Sequence, residues 1–411
     1  MKKNSLGYIS LILIIALCAI SLASCAGFDM ILGYEGSTTT TTTPTIPSTG
    51  DNIINNITIQ GEGADLTSAS NKGLRSVVSI RCSFGSGILG GGGASAGSGI
   101  IYEVNEEGDA FVITNYHVVY DEDATSNKIS NNISIYLYGM EYAEYAIPAT
   151  YVGGSINYDI AVLRIEDNAL IKAAYANGAV ASVEIADSDN VAPGQTAIAI
   201  GNPEAEGISV TTGVISVDSE NIALSLSGAT ATSMRVMRTD TPVNSGNSGG
   251  GLFDGTGKLI GVVNAKIQSA DVENIGYAIP SNVARALADN IIDYCYGKDC
   301  KTVMRGMLGI GIIPDSMYTL YNEETGILER IEKIRVESVS AGGLGEAILQ
   351  RNDIIKSITI GDTTVAVTRQ HHIIDAMLDV RVGDTVSMII ERNGEEKTVS
   401  TVITESCLTA Y

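Results

Sequence analysis

The sequence is poor in positive charge, in aromatic side chains and in histidine. Its 411 residues include 25 Lys and Arg against 47 Asp and Glu, which gives a formal net charge of −22. Such a surface repels phosphate backbones and anionic headgroups, so we expect no nucleic-acid partner and no electrostatic adhesion to lipid. Tryptophan is absent, yet 45% of the residues are hydrophobic, and the chain is long enough for two or three domains with their own cores.

The three histidines and six cysteines do not suggest a metal centre. No metal-ligand spacing appears among them, so neither a metal nor a cofactor is expected. His371 and His372 are adjacent, and because neighbouring side chains diverge on a helix, both are expected at the surface. Cys295 and Cys300 are close enough in the chain to form a disulfide outside the cytoplasm, and two free thiols are the alternative.

The N-terminus carries the longest apolar run. Lys2 and Lys3 precede a nearly continuous apolar stretch over residues 8–23, so residues 1–24 are typical of a secretion signal. The stretch ends Leu-Ala-Ser-Cys, which resembles the lipobox of bacterial lipoproteins. Acylated Cys25 would then anchor the mature chain to the outer face of the bacterial cytoplasmic membrane. An uncleaved transmembrane anchor is the alternative, and it too places the rest of the chain outside the cytoplasm.

Residues 25–70 predict a disordered tether. Thr38 to Thr43 form an unbroken threonine run, and the polar composition up to Ser70 cannot bury enough apolar surface to order itself. The run from Gly85 to Gly99 is also glycine-rich, and it predicts a mobile surface loop.

Between Leu74 and Ala265, short β-forming runs alternate with turn residues, which predicts a mainly β fold of the barrel or sandwich type. The runs are 76–81, 110–114, 133–138, 160–165, 197–200, 210–217, 235–239 and 259–264.

The rest of the chain mixes both kinds of element. Ser281 to Tyr294 predicts a helix that Ser281 caps, and Gln370 to Leu378 predicts another. Asn393-Gly394 separates two β-forming runs, which predicts a hairpin. The segment after residue 303 is therefore compatible with a small α+β domain.

The run Gly246-Asn247-Ser248-Gly249-Gly250 has the local chemistry of an acyl-transfer nucleophile. Glycines allow a sharp turn and bring backbone N–H groups close to a substrate carbonyl. Ser248 is the candidate nucleophile, the N–H groups of Gly246 and Ser248 are the candidate oxyanion hole, and Asn247 would keep the shape of the turn. An ordinary glycine turn is the alternative.

Two upstream segments offer the partners that such a serine needs. His117 follows the apolar run Val112-Ile113-Thr114, and Asp159 precedes the apolar run 160–163. His117 would act as general base and acid, and Asp159 would hold its imidazole. The order His, Asp, Ser is that of the chymotrypsin arrangement. A packed core histidine and a turn aspartate are the alternatives.

With these three segments, the chain resembles the HtrA family of trypsin-like serine proteases, from about residue 74 to 404. Further motifs occur in the family's order. They are Gly97-Ser98-Gly99-Ile100, Ala199-Ile200-Gly201-Asn202-Pro203, Thr239-Asp240, Asn274-Ile275-Gly276-Tyr277-Ala278-Ile279-Pro280-Ser281-Asn282 and Arg305-Gly306-Met307-Leu308-Gly309-Ile310.

The resemblance implies a chymotrypsin-like double β-barrel protease domain over 71–296 and a small α+β PDZ domain over 303–406. Met307, Leu308, Gly309 and Ile310 would form the loop that binds a peptide C-terminus. The walls of the specificity pocket would lie near residues 241–244 and 261–266, with a preference for small aliphatic residues before the cut bond. The candidate substrate-binding residues are Thr241, Asn244, Val262, Val263, Asn264 and Ala265.

The sequence thus predicts a membrane-tethered, extracytoplasmic serine endopeptidase that hydrolyses misfolded or unstructured proteins through an acyl-enzyme. The resemblance also implies homotrimers built from protease domains. A non-catalytic peptide-binding or chaperone-like protein is one alternative. A regulatory protease with one specific membrane-protein substrate is another.

Overall fold

Two closed barrels dominate the computed structural model, which describes residues 64–85, 93–124, 127–224, 232–265 and 275–411. Each barrel has six antiparallel strands, in the order β1-β2-β3-β6-β5-β4 for the first and β10-β11-β12-β9-β8-β7 for the second. The predicted mainly β, double-barrel fold is therefore confirmed. The predicted signal peptide, Cys25 and most of the predicted tether lie outside the described residues.

The strands of the first barrel are β1 (Val77–Phe84), β2 (Gly93–Val104), β3 (Ala110–Thr114), β4 (Asn132–Tyr136), β5 (Ile147–Ser155) and β6 (Ile160–Ile165). Those of the second are β7 (Thr196–Gly201), β8 (Ser209–Leu224), β9 (Thr232–Thr239), β10 (Gly251–Phe253), β11 (Leu259–Val263) and β12 (Gly276–Pro280).

Both faces of many barrel strands are buried, because successive side chains enter different cores. In β3, Val112 points into the first barrel, whereas Ile113 joins a cluster shared by the two barrels. In β11, Val262 joins that shared cluster and Val263 packs inside the second barrel. Side chains alternate along a strand, so a continuous apolar run here indicates two packed faces. The shared cluster fixes one barrel against the other.

Two helices close the shared cluster. Helix α4 (Ser281–Cys295) buries Leu287 and Ile291 in it, in agreement with the predicted helix. The predicted cap is wrong, because the Ser281 hydroxyl donates to the Ala186 carbonyl and not to the helix. Helix α1 (Ala64–Leu74) inserts Ala69 into the same cluster. The tether prediction is therefore wrong at its C-terminal end, since α1 begins before residue 70. The helix packs on apolar surface that the barrels supply, and the local composition of the segment does not reveal this contact.

Three shorter α-helices are also present among the described residues: α2 (Tyr116–Val119), α3 (Ala169–Ala176) and α5 (Gln370–Ala376). None of the helices within the described ranges combines the length and the apolar character that crossing a bilayer requires. The glycine-rich loop is corrected in part, because Gly93 to Gly99 pair with β1 in strand β2.

The C-terminal part is a separate sheet in the order β14-β15-β16-β18-β19, with β17 beside β16 and a small pair β13-β20. It belongs to the same compact unit as the barrels. The strands are β13 (Met304–Gly306), β14 (Ile310–Asn322), β15 (Ile327–Val339), β16 (Ile354–Ile360), β17 (Thr363–Ala366), β18 (Thr385–Arg392), β19 (Glu395–Val402) and β20 (Leu408–Ala410). Asn393 and Gly394 both have positive φ, which confirms the predicted hairpin.

Candidate active site

The turn that carries Ser248 is shaped by two glycines in the left-handed region. Gly246 has φ of 93° and Gly249 has φ of 84°. A side chain on Gly249 would collide with the carbonyl oxygen of Ser98, and one on Gly246 with that of Asn202. Glycine is therefore required at both positions for steric as well as conformational reasons. The turn leaves Ser248 only 5% exposed, where the second barrel contacts Ser98 of the first.

Ser98, on β2 of the first barrel, fastens this turn from the opposite side. Its N–H donates to the Ser248 carbonyl at 2.8 Å, and its hydroxyl donates to the Gly246 carbonyl at 2.7 Å. The same hydroxyl accepts the Asn202 N–H at 2.8 Å. In the sequence, Ser98 appears only as part of a motif. The glycines on either side of it are the signal that could have predicted this role, because they allow the backbone of β2 to come close to that of the Ser248 turn.

Asp159 lies at the end of the β5–β6 turn and is fully buried, with φ of 51°. A non-glycine residue in this region is strained, and such strain concentrates at functional positions. The Asn115 amide holds the turn by donating to the Asp159 carbonyl at 2.8 Å. The side-chain carboxylate is thereby directed toward helix α2.

His117, on helix α2, bonds Asp159 twice. Its backbone N–H donates to Oδ1 at 2.9 Å, and its ring Nδ1 lies 2.6 Å from Oδ2. A carboxylate can only accept, so Nδ1 carries the proton and Nε2 is left as the basic nitrogen. Asp159 therefore fixes both the orientation and the tautomer of the ring.

Asn264 has a different place from the one that the sequence predicted. Its side-chain amide donates to Asp159 Oδ2 at 2.7 Å, and the residue is fully buried. It follows β11 of the second barrel, so the second barrel holds the aspartate of the first. The substrate-binding assignment of the Asn264 side chain is corrected accordingly, because this amide is directed at Asp159.

The Ser248 hydroxyl accepts the N–H of Ala265 at 3.2 Å. Within the described residues no hydrogen bond joins it to His117. Side chains of this kind often align only when a substrate is present, so a loose contact in the free protein does not exclude their cooperation. The three predicted catalytic residues thus lie on helix α2, on the β5–β6 turn and on the Ser248 turn, and the adjacent residues Asn264 and Ala265 link Asp159 to Ser248.

The N–H groups of Gly246 and Ser248 find no hydrogen-bond acceptor among the described residues. The neighbouring N–H groups of Asn247, Gly249 and Gly250 all donate to carbonyls, at 2.9–3.0 Å. Two free donors on one turn can bind a negatively charged oxygen. These two N–H groups are therefore the candidate oxyanion hole.

The other predicted pocket residues differ in accessibility. Val262 and Val263 have their side chains in the two cores and are at most 1% exposed, so they do not line an open pocket. Thr241 is buried as well, with its hydroxyl against that of Thr239 at 2.7 Å. Asn244 is exposed at the start of the nucleophile turn. Apolar composition in β11 reflects packing and does not report specificity.

The histidine pair of the C-terminal part corrects another prediction. His371 is 9% exposed and its ring lies 4.6 Å from that of His372, centroid to centroid, although both were expected at the surface. Burial lowers the pKa of His371 to about 4 and also lowers the pKa of His372. Both rings are therefore neutral near pH 7. Cys295 and Cys300 are both free, with their sulfurs 2.8 Å apart.

Known proteins share this architecture. A family model described as a trypsin-like peptidase domain matches residues 97–262. The Serine protease Do-like HtrA of Bacillus subtilis is 33% identical over 318 residues, which are 74% of this chain and 62% of that protein. Its namesake from Lactobacillus helveticus is 30% identical over 311 residues, covering 74% of this chain and 67% of that protein.

A solved structure supports the same relationship. The HtrA-type protease AlgW with tripeptide is 26% identical, with a TM-score of 0.52, and the match covers 84% of this chain and 98% of that one. Sequence and fold agree with the hydrogen-bond geometry described above. The chain belongs to the HtrA family of trypsin-like serine proteases, and its double barrel is that of a serine endopeptidase.

Proposed function

We propose that the chain cleaves unfolded or misfolded proteins outside the cytoplasm, through an acyl-enzyme on Ser248. The observation that carries the proposal is the set of hydrogen bonds that directs Asp159 at His117. Within the part of the chain that the structure describes, Nε2 of the ring has no hydrogen-bond partner. An unfolded substrate is favoured because Ser248 is only 5% exposed, and an extended segment reaches such a side chain more easily than a folded surface does.

The reaction would proceed in two halves. His117 Nε2 takes the proton of the Ser248 hydroxyl while Oγ bonds to the carbonyl carbon of the substrate, and the N–H groups of Gly246 and Ser248 receive the resulting oxyanion. The proton then passes from His117 to the leaving amine as the C–N bond breaks. Water, deprotonated by His117, attacks the ester, and Ser248 leaves with the proton.

Before the first half, the Ser248 hydroxyl must direct its hydrogen at His117 Nε2. Its oxygen accepts the Ala265 N–H. A hydroxyl can accept one hydrogen bond while it donates another, so the Ala265 contact does not have to be broken for attack.

A second part of the proposal assigns residues 303–406 as a PDZ domain that binds peptide C-termini. The carbonyls of Leu308 and Gly309 are each bonded at 2.7 Å, to the N–H groups of Gly345 and Ser340. The N–H groups of Leu308 and Gly309 have no acceptor among the described residues, and Gly309 has φ of 67°. Free N–H groups on a turn suit a terminal carboxylate.

The adjacent strand supports this assignment. β14 is an edge strand, so a peptide can add to the sheet beside it, opposite helix α5. The Gln370 amide of α5 donates to the Ile312 carbonyl of β14 at 3.0 Å. A peptide that pairs with β14 would have to displace this side chain.

The assembly and location of the chain are proposed on the resemblance alone. Cys25 would carry the lipid anchor, at the outer face of the bacterial cytoplasmic membrane, and protease domains would associate as a homotrimer. Globomycin-sensitive processing and light scattering of the purified chain test the two points separately.

Incubation with unfolded casein tests the central proposal, with Ser248→Ala as the matched control. We expect cleavage that the control loses and that native globular proteins resist. A fluorophosphonate probe should label the wild-type chain at Ser248. Absence of both cleavage and labelling, with C-terminal peptides added, would contradict the proposal and favour a peptide-binding protein.

A further inference from the structure

A second histidine cluster lies far along the chain from the nucleophile turn, where the second barrel meets the C-terminal sheet. Asp189 belongs to the short 3₁₀ turn Ser188–Asn190 before β7, and His371 and His372 lie in the first turn of α5. One ligand atom from each of the three residues lies within 4.8 Å of the others. His371 Nε2 and Asp189 Oδ1 are 3.7 Å apart.

These separations are close to those of a metal site. Ligands about 2.0–2.1 Å from a tetrahedral Zn²⁺ lie roughly 3.3 Å from one another. The two rings stand at 88° to each other, so they meet edge to face and do not stack. Small side-chain rotations would bring all three ligand atoms onto one ion.

The hydrogen bonds around His372 leave a ligand nitrogen in place. Its Nδ1 lies 2.8 Å from the Ala366 carbonyl and 3.3 Å from the Thr368 N–H. The shorter contact is to a group that can only accept, so we assign the proton to Nδ1 and the lone pair to Nε2. A bond from the remote nitrogen to a backbone carbonyl is the usual support of a metal-binding histidine. His371 Nδ1 lies 3.4 Å from the Ser219 hydroxyl, which can accept or donate and is therefore compatible with a lone pair on His371 Nε2.

The charges nearby are mixed. Arg235 donates to Asp189 Oδ1 at 2.8 Å, and on its other side it pairs with Asp375. Asp218 pairs with Arg369 at 2.8 Å. With neutral histidines these five side chains sum to one negative charge, so a divalent cation is not repelled by the group as a whole. Asp189 Oδ2 accepts no hydrogen bond within the described residues, so this oxygen is the one that would bind the metal.

We propose that Asp189, His371 and His372 bind a borderline-soft divalent metal ion such as Zn²⁺, which joins the second barrel to the C-terminal sheet. Imidazole and carboxylate ligands suit Zn²⁺ better than Mg²⁺ or Ca²⁺. The three residues line a cavity of about 550 Å³, which has room for water as the fourth ligand. The sequence does not predict this site, because the second barrel, helix α4 and strands β13–β17 lie between Asp189 and the two histidines in the chain, so that the three residues come together only in the fold.

Equilibrium dialysis of the full chain against Zn²⁺, after removal of metal with a chelator, tests the proposal. We expect one Zn²⁺ per chain, visible bands of tetrahedral Co²⁺ when cobalt replaces it, and no binding of Mg²⁺. His372→Gln and His371→Gln should each weaken Zn²⁺ binding at least about tenfold. The matched control is His117→Ala, which removes the remaining histidine of the chain and should bind Zn²⁺ as the wild type does.

Thermal unfolding supplies a second readout, because it measures the effect of Zn²⁺ on the stability of each variant. Zn²⁺ should raise the unfolding temperature of the wild type and of His117→Ala, since a ligand bound to the folded state stabilises it. It should leave that of both His→Gln variants unchanged. The proposal is overturned if the wild type binds no stoichiometric Zn²⁺, if both His→Gln variants bind it equally well, or if only His117→Ala loses it.

Discussion

Two histidine–aspartate contacts in this protein differ in what else holds the aspartate. Asp159 is surrounded by N–H donors from His117 and Asn264, and no Lys or Arg among the described residues pairs with it. Asp189 has Arg235 as its partner at 2.8 Å, and the imidazole of His371 is 3.7 Å away. The negative charge of Asp159 therefore acts on the His117 imidazole alone, whereas that of Asp189 is already compensated by Arg235. The same two residue types thus support a base at one place and a ligand pair at the other.

The largest expected effect comes from Asp159→Asn. An amide at this position would present N–H to His117 Nδ1 and favour the wrong tautomer, so kcat/KM for an unfolded substrate should fall on the order of 10⁴-fold. Asp375→Asn makes the same chemical change beside Arg235 and should leave kcat/KM within about threefold, because it alters a structural ion pair and not the base. Equal losses in both variants would remove the distinction between the two clusters.

The next effect is on stability. Arg235 is 6% exposed at its side chain and pairs with both Asp189 and Asp375. Arg235→Ala leaves two carboxylates without their counter-ion, and it should lower the free energy of unfolding by about 3–5 kcal/mol. Urea titration measures this change.

Arg285→Ala is the matched control for that variant, since Arg285 also pairs with two aspartates but its side chain is 36% exposed. Its loss should cost less than about 1 kcal/mol, because solvent screens the pairs. Similar costs for the two arginines would show that burial does not decide the strength of the interface.

Asn264→Ala sharpens the comparison at the active site. Loss of a hydrogen bond to a charged group corresponds to about 1.5–3 kcal/mol, so kcat should fall about tenfold to a hundredfold while KM changes little. The pH dependence of kcat should shift as well, since Asn264 acts on the base through Asp159. The control Asn282→Ala removes an amide–carboxylate bond of the same length, 2.7 Å, at the exposed Asp187 and should not change kcat.

Ser219→Ala should have the smallest effect. The hydroxyl accepts from Arg235 Nε at 3.1 Å and contacts His371 Nδ1. Its removal leaves Arg235 both carboxylate partners, so the free energy of unfolding should fall by about 1 kcal/mol in a urea titration. A loss as large as that of Arg235→Ala would show that the hydroxyl, and not the ion pairs, organises this cluster.

The parts of the fold that depend on local pattern could be predicted from the sequence. The predicted bounds of the strands Ala110–Thr114 and Ile160–Ile165 agree with the observed ones. The Asn393-Gly394 turn has the positive φ values that its residues favour. The glycines around Ser248 likewise specify a turn by themselves. In each case the information lies within a few adjacent residues.

The parts that failed depend on distant segments. His371 is buried because the second barrel covers α5, and Asn264 reaches Asp159 because two barrels face each other. Ala69 orders helix α1 by entering a cluster built from both barrels and α4. No local periodicity contains these contacts, so the sequence placed His371 at the surface, Asn264 in a substrate pocket and α1 in a tether.

Ser98 and Asn264 each support a catalytic segment of the other barrel. Ser98 of the first barrel bonds the Ser248 turn of the second, and Asn264 of the second barrel bonds Asp159 of the first. Neither half contains a complete catalytic apparatus. A chain emerging from the ribosome would therefore stay inert toward itself and its neighbours until residue 264 has been made and both halves have met. Proteolytic activity therefore requires that the chain has finished folding, because the contacts that complete the fold are the same ones that the reaction uses.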